Sequence, residues 1–297
     1  ATWNDKGDLS TSSSTGSPKV NAQTEVIGGR SYVWGKTATV TDTAAYSYAL
    51  FKDTGRPGAY SLGTPGLNGV VTDCSVVGTA GTGGALSLGT PLFTNAGSGS
   101  LYIADVKLTS AVVGTFMLID VLWYNTALVV TTTTAQTTTS PALPARDVNG
   151  STNGEGVELA LLTTTANTIS AAIATTTASY TDSDGNTGNT ATINSFPTTA
   201  VAGAFIPFQL AAGDRGIRNI ASITLGTSYA TGAISLVLYR PIAYASSPLA
   251  NVGGTINVVN SAPTGVKLWN GTCLAPGYLA SATTATTSNL NAQLVVR

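Results

Sequence analysis

The 297-residue chain contains no histidine, which removes Ser-His-Asp and Cys-His catalysis and every His-ligated metal site. Charge is scarce: 13 basic and 14 acidic residues make up 9% of the chain, with a net charge of −1, where roughly 25% is usual in soluble domains. No Lys/Arg cluster is present to release counterions from a phosphate backbone, so nucleic acid is not an expected partner. No apolar run reaches the ~18 residues of a membrane helix. The longest, Phe116 to Trp123, is interrupted by Asp120, so no membrane partner is expected either. Only two cysteines occur, Cys74 and Cys273. They are too few for a disulfide scaffold and too sparse for a Cys-based zinc site. Two small, buried free thiols are the expectation, with a single long-range disulfide as the alternative. The first residues, Ala1 to Lys6, show neither the basic nor the apolar region of an intact signal peptide. An Ala start fits a removed initiator Met, and a cleaved export signal would leave the same end.

Threonine is what the chain has instead of charge. There are 49 Thr and 33 Gly in a sequence that is 43% hydrophobic, the composition of pleated strands joined by tight turns. The length suits one large β domain or two ordinary ones. Residues 1–28 are polar and rich in Ser, Thr, Gly and Pro, and they read as an extended N-terminal arm that cannot bury enough surface to fold alone. Ordering such an arm costs about 1–2 kcal/mol per residue in backbone entropy, so it needs a surface to lie on. Residues 29–297 read as the β-sandwich region. Strand-like runs fall at 31–42, 70–77, 101–108, 116–125, 157–165, 168–182, 205–214, 217–225 and 233–243, with turn signals between them. That rhythm predicts an all-β, antiparallel sandwich or jelly roll with long loops. The Ala-rich stretch 168–178 has a short helix as its alternative. A subdivision is expected near 128–146, where a strand runs into a Thr/Pro-rich linker, and 283–291 reads as polar loop before a last strand or docked tail.

Paired carboxylates are the catalytic device that remains open without histidine. The candidates are Asp105, Asp120, Asp147, Glu155 and Glu158. Glu155 and Glu158 would point to opposite faces of a strand. Asp105 and Asp120 sit among apolar neighbours, where a buried acid is costly unless paired, so ion pairing or outward orientation is the simpler reading and no catalytic residue is assigned. The loop 182–189 (DSDGNTGN) departs from the EF-hand spacing, because Gly185 comes too early and Ile193 stands where a bidentate Glu is required. A tight Asx/Gly turn is expected there. The Gly-rich segment 79–91 lacks the Lys-Ser/Thr ending of a phosphate loop. No metal or cofactor is expected. The sequons at Asn149 and Asn270 are what a Thr/Ser-rich chain produces by chance. The adjacent opposite charges Arg146-Asp147 and Asp214-Arg215 stand just ahead of strand-like runs. They read either as intramolecular turn salt bridges or, with Trp3 at the tip of the arm, as interface residues.

The segments LPARDVNGSTNGEGVELAL (143–161) and LAAGDRGIRNIASITLGTSYATGAISLVLYRPIA (210–243), with the polar arm and the Thr/Ala/Gly-rich strands, resemble structural proteins of tailed bacteriophages, most of all capsid decoration or cement proteins. The resemblance covers roughly 140–245. It implies a sandwich or jelly roll, often trimeric, that binds the outside of the capsid lattice and bridges neighbouring capsomers without chemistry. Its partners would be the major capsid protein and copies of itself, and its location the virion surface after synthesis in the host cytoplasm. The resemblance carries over no functional residue. A tail or baseplate protein would share this composition. A secreted carbohydrate-binding adhesin module would be a similar sandwich, with glycan binding and a Cys74–Cys273 disulfide as its marks.

Overall fold

The computed structural model describes residues 2–3, 9–10, 30–41, 47–52, 54–56, 60, 62–75, 101–168, 174–194, 199–257, 266–281 and 287–296. Regular structure among them is all-β, apart from one 3-10 turn at Leu50–Lys52. Of the arm, only a short antiparallel ladder is described, β1 (Thr2–Trp3) with β2 (Leu9–Ser10). The rest of 1–28, the Gly-rich segment 79–91 and the Trp3 side chain lie outside the described residues.

The body is built on one eight-stranded sheet. Its strands are β4 (Ser47–Tyr48), β6 (Val70–Val71), β8 (Gly114–Tyr124), β10 (Glu158–Thr168), β13 (Thr199–Ala200), β14 (Phe205–Pro207), β16 (Thr231–Ser247) and β19 (Leu274–Ala280). They follow the order β13-β10-β16-β8-β19-β4, with β14 added to β10 and β6 to β8. Two further sheets cover it. One has the order β12-β11-β15-β9, from Asn189–Ile193, Thr176–Asp182, Ile217–Thr224 and Gln136–Thr137. The other has the order β17-β7-β20-β3-β5, from Gly253–Asn257, Leu101–Ser110, Thr287–Val296, Arg30–Thr41 and Thr54–Arg56, with β18 (Val266–Leu268) on β7. Every ladder between these strands is antiparallel.

Side-chain alternation explains the layering. In β11, Thr176, Ala178, Tyr180 and Asp182 are buried and the residues between them are not, as expected for a sheet with one wet face. β8 is buried without interruption from Phe116 to Tyr124, because the central sheet is covered on both faces. On one face, Leu122, Leu159, Leu161, Leu236 and Leu238 pack with Tyr180, Ile217, Ile220 and Ile223 as a first core. Phe116, Leu118, Ile242, Leu274 and Tyr278 pack with Ile103, Val106, Leu108 and Leu268 as a second core. On the opposite face, Phe51, Tyr60 and Leu62 cover Met117, Ile119, Phe205 and Tyr239. β16 serves both cores: its first half pairs with β10 and its second half with β8.

Several expectations change in detail. Of the expected strand run 168–182, Thr176–Asp182 form β11, where Thr176, Thr177 and the aromatic Tyr180 favour a half-buried pleat over the helical preference of Ala, while 169–173 lie outside the described residues. The run 205–214 contributes only the three residues of β14 before turning, and the described part of 70–77, residues 70–75, only the two of β6. Thr287–Asn291, read as loop, belongs to β20. Within 128–146, Gln136 and Thr137 pair with Ile223 and Ser222, which makes this segment the edge of a sheet.

The cysteines also differ from the free thiols expected. Cys74 and Cys273 form a disulfide, with their Cα atoms 5.2 Å apart. Cys74 follows β6 and Cys273 precedes β19, and both strands pair with β8. The sheet therefore closes a separation of 199 residues that the sequence alone leaves open.

Candidate functional site

Two polar assemblies stand out, one sealed inside the body and one at its surface. The inner one lies where the two cores meet. Along β8, Leu118 belongs to the second core and Leu122 to the first, with Asp120 between them on the same face. Arg240 holds the corresponding place on β16, opposite Asp120 in the ladder. Asp120 Oδ2 is 3.4 Å from Arg146 Nε and 3.9 Å from Arg240 Nη2, and all three residues are buried. Cys273 N–H donates to Asp120 Oδ1 at 2.8 Å.

Arg146 is held by oxygens from three strands or loops. It donates to Thr72 O at 2.9 Å, Thr72 Oγ1 at 2.8 Å and Val121 O at 3.0 Å, and to Gly271 O. Burial pushes the Asp120 carboxyl up from its ordinary range, and the two guanidiniums oppose that rise. Burial likewise draws Arg240 down while Asp120 opposes it. Such a centre excludes water and fixes geometry. Its carboxylate is fully buried.

The surface assembly gathers three loops. Asp147 organises the first: Oδ1 accepts from the N–H groups of Asn149 (2.9 Å) and Ser151 (2.7 Å). Oδ2 accepts from Ser151 Oγ (2.6 Å), Gly154 N–H (3.1 Å) and Glu155 N–H (3.3 Å). Gly154 has a positive φ and its Cα lies against the Ile217 carbonyl, leaving no room for a side chain. The second loop is the expected Asx/Gly turn, in which Asp182 accepts from Asn186 N–H and Asn186 Nδ2, each at 2.8 Å. The third spans 213–216. Gly156 N–H donates to Arg215 O and Ser183 N–H to Gly216 O, which ties all three together. Over them lies Arg215, 62% exposed, 3.3 Å from Glu155 and 3.2 Å from Asp184. Arg218 donates to Asn153 beside it.

The sequence candidates are thus distributed unevenly. Arg215 and the Asp147 loop converge beside the starts of β10 and β15, where Glu155 bridges to Gly216. Arg146 and Asp147, offered as interface residues, are both internal. Neither adjacent pair forms its own bridge: Arg146 turns to Asp120, and Asp214 accepts the Tyr180 hydroxyl at 2.5 Å. Of the carboxylates, Asp105 lies 3.7 Å from Lys107 and Glu158 accepts from Tyr239 at 2.6 Å. Each of the five has its own partner, and the ion pairing expected of Asp105 and Asp120 is present. Glu155, Arg218 and Asn153 as a group, and Arg240 as the partner of Asp120, were not singled out. A lone charge inside each of two apolar runs, Asp120 and Arg240, was the available signal. Among the described residues, no group of three His, Cys, Asp or Glu is placed to hold a metal ion.

No family model matches the chain, and no curated protein matches it. Two solved structures are similar at 12% identity, described as the structure of infectious bursal disease virus Gt strain and the crystal structure of infectious bursal disease virus VP2 subviral particle. Each covers 90% of this chain, and 80% and 79% of the respective viral chains, with a TM-score of 0.16. A score this low carries no statement about fold or function.

Proposed function

We propose that the protein is a non-enzymatic structural component of a virion, binding the outside of a phage capsid lattice and bridging neighbouring capsomers. The observation that carries the reading is the commitment of charge: the carboxylates best placed by sequence for catalysis are each engaged by the fold. Asp120 is locked in an ion centre, Asp147 organises a loop, and Asp105, Glu155 and Glu158 have partners of their own. Two sandwiches sharing one sheet make a stiff body that needs no turnover, only contact area. A protein that binds the assembled lattice alone stabilises it by mass action, and repetition across the lattice multiplies weak contacts. The proposed partners are the major capsid protein and copies of this chain, as a homotrimer. The test is the solution mass by light scattering after size exclusion, alone and with expanded empty heads. A trimer that moves into the head peak supports the reading. A monomer that ignores heads overturns it.

The Cys74–Cys273 disulfide favours one competing reading, a secreted carbohydrate-binding adhesin, because disulfides persist in oxidising surroundings. That reading requires the isolated chain to bind glycans on an array.

A further inference from the structure

The disulfide and the buried charge centre are one construction. Cys74 N–H donates to Gly271 O at 2.9 Å, so the bridge and this hydrogen bond fasten the segments 72–75 and 269–273 to each other. Those two segments supply most of the ligands of the centre. Thr72 gives Arg146 its carbonyl and hydroxyl, Gly271 gives it a second carbonyl, and Cys273 gives Asp120 its N–H donor. Thr72 N–H also donates to Leu122 O at 3.0 Å, beside the centre on β8. The segment 269–273 is a turn closed by Thr272 Oγ1 on Trp269 O at 2.7 Å, between the buried Leu268 and Leu274 of the second core. Most residues of the two cores lie outside these segments, whose backbone is tied to β8 by Thr72 N–H on Leu122 O and Val121 N–H on Cys273 O, each at 3.0 Å. Both sulfurs are fully buried, so once joined they are shielded from reductants.

We propose that the Cys74–Cys273 bridge is a redox latch on the junction between the two sandwiches. When it closes, the Asp120–Arg146–Arg240 centre is sealed. While the sulfurs are thiols, the 269–273 turn swings from Asp120 and the junction opens, with each core intact. Closure proceeds by exchange with a low-molecular-weight disulfide: the two thiols lose two protons and two electrons and form one S–S bond, and the oxidant is reduced to two thiols. The chain is therefore pliable at its middle in a reducing compartment and rigid after it leaves. This inference does not depend on the lattice-binding reading.

The experiment is amide hydrogen exchange by mass spectrometry on the full oxidised chain and on Cys74→Ser/Cys273→Ser. Peptides covering 72–75 and 271–274 should exchange about tenfold faster or more in the variant, while 178–182, 217–223 and 103–108 stay within about twofold, as expected for an opening confined to one unit. Asp120→Asn in the oxidised chain should speed the same peptides, and adding it to the double variant should change them by less than about twofold, since the two changes act on one unit. Unchanged exchange at 72–75 and 271–274 overturns the latch. Uniform acceleration that includes both cores also overturns it, because the bridge would then be a staple for the whole fold. If the double variant does not accumulate, the wild-type chain is reduced with a phosphine in sub-denaturing urea, alkylated and measured in the same way, and loss of both cores on reduction overturns the proposal.

Discussion

Asp120 and Arg240 face each other across the β8–β16 ladder on the strip of sheet that separates the two apolar cores. A buried charge pair in that position contributes little net stability compared with an apolar pair, yet removing one partner strands the other away from water.

Asp120→Asn should therefore cost far more than a surface substitution, about 3–5 kcal/mol for a broken buried pair. Asn keeps an oxygen for the Cys273 N–H, so the loss isolates the charge. Urea unfolding of the oxidised protein measures it, and a loss below about 1 kcal/mol would mean that the two arginines do not need the carboxylate.

Asp147→Ala removes the acceptor for the N–H groups of Asn149, Ser151, Gly154 and Glu155. A cost of about 1–3 kcal/mol is expected from stranded donors, with faster amide exchange confined to 147–156. Exchange spreading into β10 would show that the loop supports the sheet.

The Asp182 carboxyl is held below its ordinary range, chiefly by the Asn186 side-chain amide and further by backbone N–H groups of the same turn. A depressed acid contributes stability that is fully present above its unfolded-state value and is lost as pH falls through the folded one. In an acid titration followed by NMR, the Gly185 and Asn186 amide shifts should move with a midpoint below that of a free Asp. A midpoint at the free value would remove the turn's claim on the carboxylate.

Burial, followed by the hydrogen bond to Asp214, pushes the Tyr180 hydroxyl from 10.0 up to about 12. Between those values the unfolded chain gives up this proton and the folded chain keeps it, so stability falls as pH rises through the window. Tyr180→Phe should make the alkaline decline in urea stability shallower, and an identical slope would refute the assignment.

The fold class was legible because period-two alternation survives in segments such as 176–182, and because long apolar runs such as 116–124 have the length of doubly covered strands. Asp120 was visible as a lone charge in an apolar run, and its need for a partner followed from desolvation. Which partner did not, since that depends on register: β8 meets β16 with shifts at Leu238/Tyr239 and Pro241/Ala243. The partner of Arg146 was hidden for a similar reason: Arg146 pairs with Asp120 and not with the adjacent Asp147. Its acceptors, Thr72 and Gly271, come from segments remote in sequence that only sheet closure brings together. The disulfide was hidden by the same closure. The Asx turn at 182 was readable because it is made by residues four positions apart.

β16 runs for 17 residues through both sandwiches without a break between them. Its ladder hydrogen bonds lie across the strand direction, so a pull along the molecule loads many of them in shear at once, whereas a hinge would be peeled one bond at a time. A load on one sandwich is thus carried to the other along one continuous strand.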